Sequence, residues 1–193
     1  MRRLGLGLES GARPKSGVLR ALAGVALLAS LAPARLAAGE DLHDAKADLL
    51  YNIAKFIEWP RELSVKNQFS FAILGEDELA AVIAGTMSQK TINGKPVFVR
   101  CIRRPEDALK SHVLFIAASE EERIPEVLEA LRGTSVLTVA DTAGFAAMGG
   151  MVDFVLADAR VHFEINREQA EKARLRISAK LLALAQIVEN REP

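Results

Sequence analysis

The chain has three histidines and one cysteine among its 193 residues, and neither these nor its serines have the spacing of a common catalytic or metal-binding motif. His43, His112 and His162 fall in separate predicted elements, and none has a second histidine or a cysteine at ligand spacing. Serines occur without a G-x-S-x-G turn or a Ser-x-x-Lys arrangement. The sequence therefore predicts no catalytic residue, no metal site and no cofactor, and it indicates that His112 and His162 are partly buried structural residues.

The single cysteine, Cys101, alternates with Val97 and Val99 along a predicted strand. This position favours a buried, unreactive thiol that packs like a small apolar group. Because one cysteine cannot form an internal disulfide, we expect the stability of the domain to be independent of reductant. A homodimer bridged through Cys101 is the alternative to a monomer.

Polar residues in the last third of the chain are candidates for a small pocket. They are Asp141, Glu164, Asn166, Arg174 and Ser178. Asn166 followed by Gln169 also fits the N-cap of a helix, which explains the asparagine without a ligand. A solvated helix face explains Arg174 and Ser178 equally well, since four residues separate them. Both interpretations stay open on the residues alone.

A glycine-rich loop at residues 141–150 and the polar side of the first predicted helix are candidate contact surfaces. In the loop, Phe145 and Met148 stand between glycines, and they either face a partner or fold back into the core. The loop lacks the spacing of phosphate-binding glycine motifs. In the helix, Tyr51 and Lys55 lie opposite the apolar residues. We predict partner contact through these four side chains, with solvation as the simpler explanation for the helix.

Hydrophobic periodicity predicts the elements that position these residues. Helices are predicted over 41–59, 77–87, 119–131 with a capping box at its start, and 167–188. Strands are predicted over 69–74, 96–102, 112–117 and 135–140, followed by a hairpin of 151–156 and 161–165. This order predicts a single α/β domain with a mixed sheet of five or six strands and helices on both faces.

Charge divides the chain into a basic leader and an acidic body. The whole chain has a formal charge of zero, but the residues after Gly39 include 19 basic and 24 acidic side chains, a net charge of −5. Such a body argues against nucleic-acid binding. A basic stretch, an apolar run over 21–31 and small residues form the three parts of a secretory signal peptide. We predict that residues 1–38 are a signal peptide, cleaved between Arg35 and Glu40, and that residues 39–193 form a periplasmic domain.

Seven segments, in this order along the chain, resemble the YfiR family. They are residues 51–60, 94–100, 112–121, 136–145, 149–154, 163–166 and 175–182. The resemblance implies a secreted α/β domain without catalytic activity, which in the best-known members binds the periplasmic sensor domain of an inner-membrane diguanylate cyclase and inhibits it. It also implies that an outer-membrane lipoprotein can remove the domain from the cyclase. Periplasmic contacts between proteins would then control cyclic-di-GMP signalling and biofilm behaviour.

The chain departs from this family in its cysteines. Some members carry paired cysteines at the positions of Ala72 and Ser111 and a second pair near the glycine-rich loop. Redox control through disulfides is therefore not implied here. A function from another class also stays open, namely a periplasmic small-ligand-binding sensor that acts with a partner kinase or transporter.

Overall fold

Residues 34–64, 66–158 and 160–190 are described by a computed structural model of the chain. Most of the predicted signal peptide lies outside these residues, so its cleavage stays a prediction. Within the described part, no helix combines the length and the apolar character needed to cross a bilayer.

Short helices alternate with short strands along the described residues. The α-helices are α1 Ala34–Lys55, α2 Arg61–Ser64, α3 Glu78–Ser88, α4 Ile124–Ala130, α5 Arg167–Lys172 and α6 Ala179–Leu182. Two 3-10 helices span Pro105–Ala108 and Ala118–Arg123. The strands are β1 Ile57–Glu58, β2 Phe69–Leu74, β3 Thr91–Ile92, β4 Lys95–Ile102, β5 Val113–Ile116, β6 Leu137–Ala140, β7 Val152–Ala157, β8 Arg160–Asn166, β9 Arg176–Ile177 and β10 Gln186–Val188.

A mixed sheet of eight strands in the order β10-β8-β7-β6-β5-β2-β4-β3 forms the centre of the domain. Strands β4, β2, β5, β6 and β7 run parallel, whereas β7 and β8 form the predicted antiparallel hairpin. The α/β class is confirmed. The sheet has more strands than expected because the short strands β3 and β10 extend its two edges.

Helices cover both faces of the sheet, as the near-continuous apolar runs of its central strands predict. Along β2, Phe71 and Ile73 join the core on the face covered by α1 and α3. The intervening Ala72 and Leu74 join a second core that includes Ile124 of α4. Each strand residue therefore contributes to one core or the other according to its parity, since successive side chains alternate between faces.

The predicted helix over 167–188 is wrong. Helix α5 ends at Lys172, and Arg174 adopts a positive φ of 61° that no helix allows. The chain then pairs Ile177 with Ile57 and later adds β10 beside β8. Leu175 and similar apolar residues have helical spacing, but pairing with distant strands overrides that local preference.

Two further helix boundaries differ from the expected ones. The first helix ends at Lys55 rather than at residue 59, because Ile57–Glu58 pairs with β9. The expected capping box at Ser119 is also wrong, since α4 begins only at Ile124. The Ser119 hydroxyl instead accepts a hydrogen bond of 3.0 Å from the backbone N–H of Glu76. It thus connects the loops that follow β2 and β5.

Candidate functional site

The loop of residues 141–150 is attached to the first helix through an ion pair. Asp141 directly follows β6, and its two carboxylate oxygens accept hydrogen bonds of 2.8 and 2.6 Å from Lys46 Nζ in α1. The side chains are only 10% and 24% exposed for Lys46 and Asp141 respectively. A pair with this geometry and partial burial is stronger than an exposed one, so it fixes the start of the loop.

Phe145, predicted to contact a partner, is instead fully buried. Its ring belongs to the core beneath α4, and a Cβ added at Gly150 would lie 2.2 Å from Phe145 Cε1. Gly144 and Gly149 have φ values of 77° and 107°, which let the loop fold back on itself. The expected exposure is therefore wrong, and the aromatic side chain anchors the loop from below.

Sequence reasoning missed Asp153, which lies fully buried beneath this loop. Its Oδ2 accepts a 3.4 Å hydrogen bond from the backbone N–H of Ala146, while Oδ1 has no hydrogen-bond partner among the described residues. Burial, reinforced by the negative charge of Glu164 on the paired strand, raises the pKa of Asp153 to about 6. A single acidic residue inside the apolar run of residues 151–156 was the available signal.

Asn166 connects the loop with the helix that follows β8. Its Oδ1 accepts a 3.1 Å bond from the N–H of Gln169, which confirms the predicted N-cap. Its Nδ2 donates to the carbonyl of Ala146 and to Asn190 Oδ1, each at 2.8 Å. Because the side chain is fully buried, these bonds are needed to satisfy it, and they hold the loop in one position.

The residues of the predicted polar pocket take part in separate interactions. Asp141 pairs with Lys46 and Asn166 caps α5, as described above. Arg174 is exposed beside a cavity next to Pro60, and the Ser178 hydroxyl accepts from the N–H of Leu181 to cap α6. The expected helix carrying both Arg174 and Ser178 is not formed. Glu164 lies half-buried on β8, opposite Asp153.

Met148, at the far end of the loop, is 49% exposed and borders a cavity of about 730 Å³. Apolar side chains of Leu128, Leu131, Val136 and Met151 and polar ones of Arg132, Thr134, Gln169 and Lys172 line this cavity. Such a mixture can accept an apolar side chain or a small molecule and orient it by hydrogen bonds.

Tyr51 and Lys55 lie near strand β3, which forms one edge of the sheet. The Tyr51 hydroxyl donates a 3.1 Å bond to the carbonyl of Thr91 in β3, and Lys55 Nζ and Lys90 Nζ each lie 5.0 Å from the centre of its ring. These distances allow cation–π attraction. Four strand spacings, about 19 Å, separate β3 from β6 near Met148, so the two candidate surfaces are distinct.

The structure gives His112 a structural role, as predicted. Its Nδ1 accepts a 3.0 Å bond from the N–H of Ser70, its Nε2 lies 3.2 Å from the carbonyl of Leu63, and Phe69 stacks on its ring. Burial lowers the pKa of His112 to about 4, so the ring is neutral at pH 7. Among the described residues, no group of three potential ligands could hold a metal ion.

Two expected burials are wrong. Cys101 is exposed, because β3 pairs only with Lys95 and Pro96 and leaves the rest of β4 at the edge of the sheet. His162 is also exposed, since Phe163 and Ile165 point into the core from β8 and the alternation sends His162 outwards. The expected indifference to reductant stays a prediction.

The mixed sheet has helices on both faces, and these features define an α/β domain. The chain belongs to the YfiR/HmsC-like family, which it matches over residues 43–186. Membership of this family supports a periplasmic regulatory role in cyclic-di-GMP signalling.

Two solved structures resemble the fold. The crystal structure of a conserved domain protein from Vibrio cholerae O1 biovar El Tor strain N16961 has a TM-score of 0.52 and 13% identity, over 75% of this chain and 59% of that one. The ligand-free, open structure of CD0873, a substrate binding protein with adhesive properties from Clostridium difficile, has a TM-score of 0.47 and 11% identity, over 75% and 58%. The chain thus spans about three-fifths of either structure. The Vibrio structure supports the fold alone.

Proposed function

We propose that this chain is a non-catalytic periplasmic protein that binds the periplasmic sensor domain of an inner-membrane diguanylate cyclase and inhibits it. Export through a cleaved signal peptide is part of this proposal. The observation that carries it is the family match over residues 43–186, which covers nearly all of the described domain. Lower cyclic-di-GMP, and hence less biofilm, is the expected result of its action.

The loop of residues 141–150 is the proposed contact for the cyclase, with Met148 as its exposed apolar residue. Phe145, Asp153 and Asn166 hold the loop from below, so little conformational entropy is lost when a partner binds. Methionine suits such a position because its flexible thioether adapts to different apolar partners. The cavity beside Met148 can accept one apolar side chain of the sensor domain.

Tyr51 and Lys55 form a second proposed contact, about 19 Å away along the sheet. An aromatic ring flanked by two lysines favours an acidic partner surface. Separate surfaces suit two partners, so we assign this second contact to the outer-membrane lipoprotein that would remove the domain from the cyclase.

The proposal is tested by expressing the chain, with its leader, beside a membrane cyclase of the same genome that has a periplasmic sensor domain. Cellular cyclic-di-GMP should fall, and Met148→Glu should restore it. Binding of the purified sensor domain should weaken about tenfold or more, a change of about 1.4 kcal/mol. Met148→Leu should bind normally, and so should Leu156→Glu, which alters an equally accessible apolar residue at the hairpin tip. Unchanged cyclic-di-GMP despite abundant exported protein would refute the proposal.

The cavity of about 730 Å³ favours one second candidate function, a small-ligand sensor acting with a kinase or transporter. Apolar and polar side chains line it together, as is typical of small-molecule sites. Native mass spectrometry of protein purified from the periplasm separates the two functions. A retained small molecule, lost from a Thr134→Trp variant that fills the cavity, would favour the sensor. A mass equal to that of the polypeptide alone would favour the inhibitor.

A further inference from the structure

Strand β4 leaves one side of its backbone open. It pairs with β2 from Val97 to Ile102, but β3 covers its other side only at Lys95 and Pro96. The N–H of Val97 points outwards, since it donates to the carbonyl of Lys90 at 3.1 Å. Because outward groups alternate along a strand, the N–H and C=O groups of Val99 and Cys101 also point outwards. Within the described part of the chain, no strand pairs with them.

A groove of about 550 Å³ with apolar and basic walls is lined by residues of β4, of β2 and of the 3-10 helix Pro105–Ala108. Phe98 of β4 is 49% exposed, and Leu109, which follows the 3-10 helix Pro105–Ala108, is 44% exposed. Lys66, Ser70, Arg100 and Lys110 complete the wall, together with Gln68, Glu106 and Asp107. Because Phe98 lies on the strand whose edge is open, a side chain of an added strand would lie beside its ring, at the groove that Leu109 also lines.

Positive charge is concentrated at this groove although the body of the chain is acidic. Lys66 Nζ donates a 2.6 Å bond to the carbonyl of Lys110, and Arg100 Nη2 donates to the carbonyl of Asp107 at 2.9 Å. Lys66, Arg100 and Lys110 all line the groove, and burial together with the charges of Lys110 and Arg100 lowers the pKa of Lys66.

Acidic side chains only partly neutralise this cluster. Three basic residues, Lys66, Arg100 and Lys110, line the groove together with Glu106 and Asp107. Asp107 is already paired with Arg104, at 3.2 Å. A second copy of the chain would place one basic edge against another, which like charges oppose. Charge complementarity therefore selects an acidic partner.

We propose that the open edge of β4 and the Phe98–Leu109 groove bind an extended acidic segment of another protein by strand addition. The segment would pair its backbone with Val99 and Cys101 and place one apolar side chain in the groove. Its carboxylates would face Lys66, Arg100 and Lys110. This inference does not depend on the proposed function, because the segment can belong to any partner and the surface is separate from Met148.

A labelled peptide of sequence EVEVFVEVE tests the proposal, with KVKVFVKVK as its charge-reversed control. Fluorescence anisotropy with the full-length chain should show saturable binding of the acidic peptide that weakens as salt is raised. The basic peptide should bind at least about tenfold more weakly. Lys66→Glu and Lys110→Glu should each reduce affinity for the acidic peptide, whereas Lys180→Glu, an exposed change in α6, should not.

Hydrogen exchange distinguishes strand addition from attraction by charge alone. The acidic peptide should slow exchange of the Val99 and Cys101 amides, with which no strand of the described residues pairs, and leave the amides of β10 unchanged. Equal binding of both peptides, no binding of either, or binding without protection of Val99 and Cys101 would overturn the proposal. A dimer in sedimentation that Lys66→Glu dissociates would also overturn it, in favour of a second copy at this edge.

Discussion

The loop of residues 141–150 and the edge strand β4 meet the solvent in different ways. In the loop, Phe145 is fully buried, and Asn166 and Asp153 bond to the backbone of Ala146. On β4, Phe98 is half-exposed and the outward backbone groups of Val99 have no partner strand in the described residues. The loop therefore offers a partner a fixed shape, whereas β4 offers unused hydrogen-bonding groups.

The buried residues beneath the loop maintain the fold, whereas the exposed residues of β4 are available to bind another protein. Changes beneath the loop should act on stability first and on binding only as a result. Changes at the β4 edge should leave stability nearly unchanged. Four stability predictions test this division.

The comparison of Phe145 with Phe98 should give the largest effect. Phe145→Ala empties a fully buried site and should lower the free energy of unfolding by about 3 to 5 kcal/mol. Phe98→Ala removes a half-exposed ring and should change it by no more than about 1 kcal/mol. Urea denaturation followed by circular dichroism measures both. Equal losses of unfolding free energy in the two variants would contradict the proposed difference between the loop and β4.

Gly150→Ala tests how tightly Phe145 is packed, because it adds a methyl group beside the ring instead of removing the ring. The new Cβ would lie 2.2 Å from Cε1 of the ring, so the ring or the loop must shift, at a cost of about 1 to 3 kcal/mol. Gly85→Ala is the matched control, because Gly85 lies in α3 with open space around it. That control should gain about 0.5 to 1 kcal/mol from helix propensity. A neutral Gly150→Ala variant would mean that Phe145 is loosely held.

The ion pair at the start of the loop should contribute less. Lys46→Met keeps the apolar stem but removes the charge-assisted bonds to Asp141, and should destabilise the domain by about 1 to 2 kcal/mol. Lys172→Met breaks a 2.7 Å pair with Glu168, whose side chain is 56% exposed, and should cost no more than about 0.5 kcal/mol. Thermal unfolding of both variants measures whether loss of the partly buried ion pair lowers the stability more than loss of the exposed one.

The pH dependence should show the smallest net effect in the unaltered protein, because two buried groups oppose each other. The pKa of Asp153 rises from 3.8 to about 6, so its contribution to stability is lost as the pH rises through 6. The pKa of His112 falls from 6.5 to about 4, so its contribution is lost as the pH falls through 4. Between pH 4 and 6 the two slopes have opposite signs.

Single substitutions should show how Asp153 and His112 each change the dependence of stability on pH. Asp153→Asn should be more stable relative to the unaltered protein at pH 7.5 than at pH 4.5, and His112→Gln should show the reverse. Melting temperatures at the two pH values give the comparison. Differences that do not vary with pH would show that neither group titrates in this range in the folded state.

The sequence predicts the middle of the fold better than its ends. Apolar runs such as residues 112–117 lie in a sheet covered on both faces, where burial follows from composition alone. Asn166 was also predictable, since an N-cap depends on residues three positions apart. Residues 174–188 were not, because β9 forms only by pairing with β1 near the start of the domain, and β10 only by pairing with β8 across the helices α5 and α6.

The candidate site was less predictable than the fold. Alternating apolar residues do not distinguish a central strand from an edge strand, so Cys101 was placed in the core although it is exposed. The pattern of glycines around Phe145 indicates a tight loop but not the direction in which its ring points. Asp153 stood out only as one acid in an apolar run. In each case the burial of the side chain depends on which helix or strand packs beside it, and the local sequence does not show this.

The Lys46–Asp141 pair joins residues separated by 95 positions, which sets an order of events when the chain is made. At about 5 to 20 residues per second, a ribosome needs about 5 to 20 s to reach Asp141 after Lys46. During that interval the apolar side of α1, with Leu50 and Ile53, has no completed sheet to cover it. Helix α1 can pack against α3 during that interval, but Lys46 gains its carboxylate partner only once β6 is complete, so the start of the loop is fixed late in the assembly of the domain.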